Sequence, residues 1–157
     1  MTTEDRLLNV LVTAGVATAV TTGAALLISQ AQTRHAAAAL NATSHIVWGE
    51  EAARVDALDW DHTVLGGLLN AGAMGAWALV QEALLPRART AWGAAAKGVL
   101  VSGLAYATDY YVVPKRLTPG FEKRLTSGGM WLMYAALAGA LGVGELLASK
   151  SQRAALI

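Results

Sequence analysis

Two imidazoles and two carboxylates fall near the ends of apolar runs in this sequence: His45, Asp61, His62 and Asp109. Imidazole nitrogens and carboxylate oxygens together bind divalent metals, and they exchange protons near neutral pH. His45 and His62 are therefore the first residues to weigh as metal ligands, and as a pair they would suit axial ligation of a haem. No HxxxH, HExxH or repeated carboxylate–His spacing accompanies them. The plainer reading is a polar rim of helix caps and wet side chains. Glu50, Tyr110, Lys115 and Arg116 extend that rim, and its two cations would meet the phosphate of a lipid headgroup. His35, followed by a run of alanines, reads as a loop residue.

A second set lies inside apolar runs. Glu82 and Lys97 are nearly symmetric about residue 89, so an antiparallel helical hairpin sets them at similar depth as a buried ion pair. Charges within a span are costly and take partners. Such a pair either locks the hairpin or snorkels to the membrane surface. Glu145 lies towards the same side and is placed to join them. Asn70, near mid-run, reads as an interhelical hydrogen bond. A path lined by Asn70, Glu82, Lys97 and Glu145 would be that of a small transporter or channel.

The elements that must position these residues are apolar helices. Of the 157 residues 55% are hydrophobic and 15% charged, against about 25% charged in soluble domains. The mean hydropathy is +0.42. The runs 7–29, 63–85, 91–113 and 127–148 each approach the length of about 20 residues that crosses a hydrocarbon core. They do not alternate as barrel strands would, so helices are the expected spans. The first run exceeds the roughly 7–15 residues of a secretory leader, and Glu4 and Asp5 precede it, so it reads as a retained anchor. Residues 61–63 are cap types for the second span, Thr126 or Ser127 for the fourth. Pro86 and Pro114 end the second and third. Trp92, Trp131, Tyr110 and Tyr111 sit near span ends, as interfacial aromatics do.

Small residues recur every four positions: Gly15, Ala19 and Gly23; Gly67, Ala71 and Gly75; Gly103 and Ala107; Ala136, Ala140 and Gly144, with Ala138 and Gly142 beside them. Such stripes serve packing inside the bundle or an interface between copies. The long first loop, 30–62, is expected to lie partly on the membrane, with a short helix near 36–47 and an acidic stretch after it. Basic residues divide five against six between the two sides (Arg6, Arg87, Arg89, Lys150 and Arg153 on one). The positive-inside rule therefore orients the chain only weakly, with both termini cytoplasmic. There is no cysteine, which excludes disulfides and thiolate chemistry, and no basic stripe suited to nucleic acid.

Two segments, Ser-His-Ile-Val-Trp-Gly-Glu at 44–50 and Asp-Tyr-Tyr-Val-Val-Pro-Lys-Arg-Leu-Thr-Pro-Gly-Phe-Glu at 109–122, resemble segments of small bacterial inner-membrane proteins with four helices. The resemblance implies that location and helix count and transfers no activity. Small multidrug transporters are similar in helix count alone. Their buried Glu lies in the first span, where this chain has Thr13, Thr18, Thr21 and Thr22 and no charge. The expectation is an all-α integral membrane bundle of four transmembrane helices forming one domain. It would work among membrane lipids by association, as a homo-oligomer or an accessory subunit of a membrane complex. The alternative is a membrane-embedded metal- or cofactor-dependent protein, even an enzyme acting on a lipid-soluble substrate.

Overall fold

A computed structural model describes residues 2–154 and side chains as far as residue 150; the side chain of Arg153 lies outside the described residues. The protein is all-α, with no strand among the described residues. Helix α1 spans Thr3–Thr33. The Thr2 hydroxyl accepts from the Asp5 amide at 3.1 Å while the Asp5 carboxylate accepts from the Thr2 amide at 2.9 Å, a reciprocal cap that starts the helix. Its buried face is Asn9, Thr13, Ala17, Thr21, Ala25 and Ser29, one residue every fourth. Its outer face carries Leu11, 69% exposed, and Leu27, 74% exposed. Burying a leucine from water stabilises by about 1.5–3 kcal/mol, so a soluble fold would turn these leucines inward and leave Asn9 and Thr13 outside. Apolar surroundings on the outer face favour the arrangement found. Three helical stretches, Thr3–Thr33, Trp60–Leu84 and Ser127–Lys150, are long and apolar enough to cross a membrane.

Helix α4, Leu65–Leu84, continues from a π-helical turn, Trp60–Val64. Its cap is Asp59, whose carboxylate accepts from the His62 amide at 2.7 Å, two residues ahead of the expected 61–63. Helix α5, Ala91–Ala107, is capped by Thr90 and prolonged by a second π turn, Thr108–Val112, which stops before Pro114. Helix α6, Ser127–Ala154, begins under Thr126, whose hydroxyl accepts from the Gly129 amide at 3.3 Å.

Helix α1 packs against both α4 and α6, and α5 packs against α6; α4 and α5, although consecutive, touch little. Close backbone approach sets this order. A Cβ on Gly98 would stand 2.2 Å from the Ala138 carbonyl oxygen, and one on Gly144 2.7 Å from Thr13 Cα. The stripe on α6 is thus internal. The glycines of the other three stripes, Gly15, Gly23, Gly67, Gly75 and Gly103, have open space where a Cβ would be.

The first loop carries the short helix expected near 36–47 as two pieces, α2 (Ala38–Thr43) and α3 (His45–Trp48), followed by a 3-10 turn, Glu50–Arg54. Every residue from Ala37 to His45 is buried, so the segment plugs one end of the bundle. Asn41 fixes it: its amide donates to the Val55 and Ala57 carbonyls at 2.9 and 2.8 Å and accepts from the Thr63 hydroxyl at 2.6 Å. The third loop lies over the plug. Gly120 takes φ 80 there, with a Cβ position only 2.6 Å from the Ala42 carbonyl oxygen. Acids of the first loop meet bases of the third: Lys123 reaches Glu50 at 2.5 Å, and Arg124 pairs with Asp56.

Candidate functional site

Beneath this plug lies a cavity of about 100 Å³. Leu69, Met74 and Trp77 of α4 and Met133 and Leu137 of α6 form its apolar walls, and Pro119 and Phe121 of the third loop cover it. Five polar residues line it: Thr21, Thr43, Asn70, Asp109 and Tyr134. Asp109 stands in the π turn that prolongs α5; such widened turns shift the side-chain register and recur at functional sites. Tyr134 donates its hydroxyl to Asp109 Oδ2 at 2.7 Å. The ring of Tyr106, edge-on to Tyr134 at 5.1 Å and stacked on Trp131 at 5.5 Å, ties this end of α5 to α6.

Asn70 donates to the hydroxyls of Thr21 at 3.0 Å and Thr22 at 3.2 Å. Thr21 spends its own proton on the Ala17 carbonyl at 2.8 Å, so towards Asn70 it is an acceptor. That fixes the amide orientation and leaves Asn70 Oδ1 as an acceptor. Neither Asn70 Oδ1 nor Asp109 Oδ1 takes a hydrogen bond among the described residues.

The four residues weighed as a metal or proton site do not converge. His45 is buried with Nδ1 at 2.8 Å from the Ala42 carbonyl oxygen and Nε2 at 3.3 Å from that of Lys115. Both nitrogens face main-chain oxygens, so the ring pins the plug to the third loop and has no lone pair directed at a metal or haem iron. His62 holds Asp59 with Nδ1 at 3.0 Å from Oδ2. The His62 amide keeps the exposed Asp59 carboxyl below its ordinary range. Asp61 borders a shallow depression with Trp48, Glu51 and His62, and its carbonyl accepts from Trp48 Nε1 at 2.8 Å. Among the described residues no three His, Cys, Asp or Glu side chains are grouped to hold a metal ion. The rest of the rim is distributed. Glu50 is bound to Lys123, which lowers its carboxyl pKa; Tyr110 donates to Glu122 at 3.1 Å; Arg116 donates to the Val47 carbonyl at 3.3 Å; Lys115 is exposed.

At the opposite end, beside the 86–90 hairpin, Lys97 pairs with Glu145 at 3.1 Å and not with Glu82. Symmetry about the hairpin predicts Glu82–Lys97 only if α4 and α5 pack on each other, whereas α5 leans on α6. Glu145 also accepts from the Ala88 amide at 2.6 Å and from Gln81 Nε2 at 3.1 Å. Glu82 instead takes the amide of Asn9. This end is a lock between helices.

The cavity groups Asn70, Thr21 and Tyr134 with Asp109, a set not visible from spacing alone. The available signal was the four-residue polar period of α1, Asn9 to Ser29, which marks its inner face. No protein family, curated protein or solved structure matches the chain.

Proposed function

We propose that the chain is an integral membrane protein of four spans, the fourth being α5 with its π turn, and that it binds a lipid-soluble molecule in the cavity under the plug. The observation that carries this reading is the cavity's make-up, an apolar chamber with a few convergent polar atoms, which is the usual composition of a small-molecule site. Its location is read as a bacterial inner membrane with both termini cytoplasmic. The test is thermal unfolding in detergent with apolar probes, wild type beside Ala73→Phe. Ala73 is exposed at the cavity edge, so the added ring obstructs the mouth. Stabilisation by a probe that Ala73→Phe abolishes supports the reading; the absence of any stabilising probe counts against it.

A second reading, association in the membrane as a homo-oligomer or accessory subunit, is favoured by the outward glycine faces. Gly15 and Gly23 project from α1 opposite its buried stripe and meet nothing within 4 Å. Faces of this kind let helices of separate chains approach closely. Because the chain lacks cysteine, a single Gly15→Cys or Gly23→Cys substitution reports directly. Rapid disulfide dimers there, with none at Leu132→Cys or Val143→Cys on the exposed face of α6, support self-association; uniform or absent cross-linking removes it.

A further inference from the structure

We propose that the cavity selects an apolar molecule carrying a protonated primary or secondary amine, an inference that rests on the cavity being a ligand site. The argument is an account of donors. Every hydroxyl and amide proton at the cavity wall is already committed: Tyr134 to Asp109, Thr21 to Ala17, Thr43 to Ala39 at 3.3 Å, and Asn70 to Thr21 and Thr22. What remains on these groups is acceptors, Asp109 Oδ1 and Asn70 Oδ1; the one other donor of the wall is the indole N–H of Trp77, which carries no charge to match Asp109. A carboxylate accepts up to about four hydrogen bonds, and one from Tyr134 leaves it under-satisfied.

Charge gives the same direction. Asp109 belongs to no ion pair among the described residues. Of the four cations of the covering loop, Lys123 pairs with Glu50, Arg124 with Asp56, Arg116 donates to the Val47 carbonyl, and Lys115 is exposed and in no ion pair with Asp109. A carboxylate in an apolar wall is stabilised most by a cation that also donates hydrogen bonds. An ammonium meets both needs. An alcohol supplies a donor without charge. A quaternary ammonium supplies charge without a donor. A ketone offers an acceptor to acceptors. The apolar part is bounded by size: an engineered apolar cavity of about 150 Å³ accepts benzene, and this one, at about 100 Å³, is smaller, so it takes the amine with a short chain and a ring or longer body must extend past Ala73.

The experiment uses four soluble probes of one skeleton against the full chain in nanodiscs, with empty nanodiscs as the blank: phenethylamine, phenethyl alcohol, phenethyltrimethylammonium and benzyl methyl ketone. Dissociation constants come from calorimetry, for wild type and Asp109→Asn. Asparagine keeps the shape and the acceptor for Tyr134, and a circular dichroism melt confirms its fold. The expected result is that phenethylamine binds at least tenfold more tightly than the other three, and that Asp109→Asn erases this preference while the alcohol binds as before. Four probes binding alike would overturn the amine inference and leave the ligand-site reading standing. No binding by any probe would overturn both. A preference for amine that survives Asp109→Asn would place the cation elsewhere and also overturn the inference. If the variant does not fold, the ranking in the wild-type protein decides.

Discussion

The two ends of this bundle each hold a carboxylate, one buried and one half-buried, and they treat it differently. At the hairpin end Glu145 is fully buried and meets Lys97, the Ala88 amide and Gln81, which joins α4, α5 and α6 at one point. At the plugged end Asp109 meets one tyrosine hydroxyl and opens onto a cavity. The difference is that the protein supplies a counter-charge to Glu145 and none, among the described residues, to Asp109; in the proposed reading a ligand supplies it there.

This contrast breaks most sharply on the ion pair. Removing one partner of a buried pair strands the other charge and costs about 3–5 kcal/mol. Lys97→Met is expected to destabilise by that amount in denaturant or thermal unfolding in detergent, and the double variant Lys97→Met/Glu145→Leu is expected to recover most of it. A neutral Lys97→Met would mean that the hairpin end is no lock. Next in size is a glycine comparison. Gly144→Ala forces a Cβ against Thr13 and should cost about 1–3 kcal/mol, whereas Gly15→Ala, with open space around it, should leave the melt of the detergent-solubilised protein unchanged. Equal effects would contradict the helix order described.

Asp109→Asn sharpens the comparison from the other side. It keeps the Tyr134 hydrogen bond and removes an uncompensated charge, so stability should stay within about 1 kcal/mol of wild type. A loss as large as that of Lys97→Met would make Asp109 structural.

The smallest effect is in the loops. Lys123 holds the Glu50 carboxyl below its ordinary range, and the His62 amide does the same for Asp59. A depressed carboxyl contributes stability that is present above its unfolded pKa and is lost as pH falls through the folded one. Amide hydrogen exchange across 50–63 should therefore be flat from pH 7 to about 5, after correction for intrinsic rates, and should quicken below about pH 4. Quickening already at pH 6 would show that other groups hold the plug.

Much of the architecture was legible in the sequence, because apolar length and caps are local properties. Thr126, Pro86 and Pro114 act where their chemistry places them. Neighbour relations were not legible, because they depend on which small residues meet. Gly98 against Ala138 draws α5 onto α6 and so takes Lys97 to Glu145, and nothing in the spacing of Glu82 and Lys97 reveals that. The rim residues are not grouped as a metal set among the described residues, for a similar reason. His45 has the right chemistry, but the main chain already occupies both its nitrogens. Asp109 was visible as a polar residue at a span end. Its partners Tyr134, Asn70 and Thr21 come from two other helices and a third, and only packing assembles them.

The central claim, that the plugged end is a ligand site and the hairpin end a lock, is tested most directly by native mass spectrometry of the protein released from its own membrane in mild detergent. The account predicts a stoichiometric small-molecule adduct on the wild type and on Lys97→Met/Glu145→Leu, reduced or absent in Ala73→Phe. A bare protein in all three, or an adduct indifferent to Ala73→Phe, would contradict it.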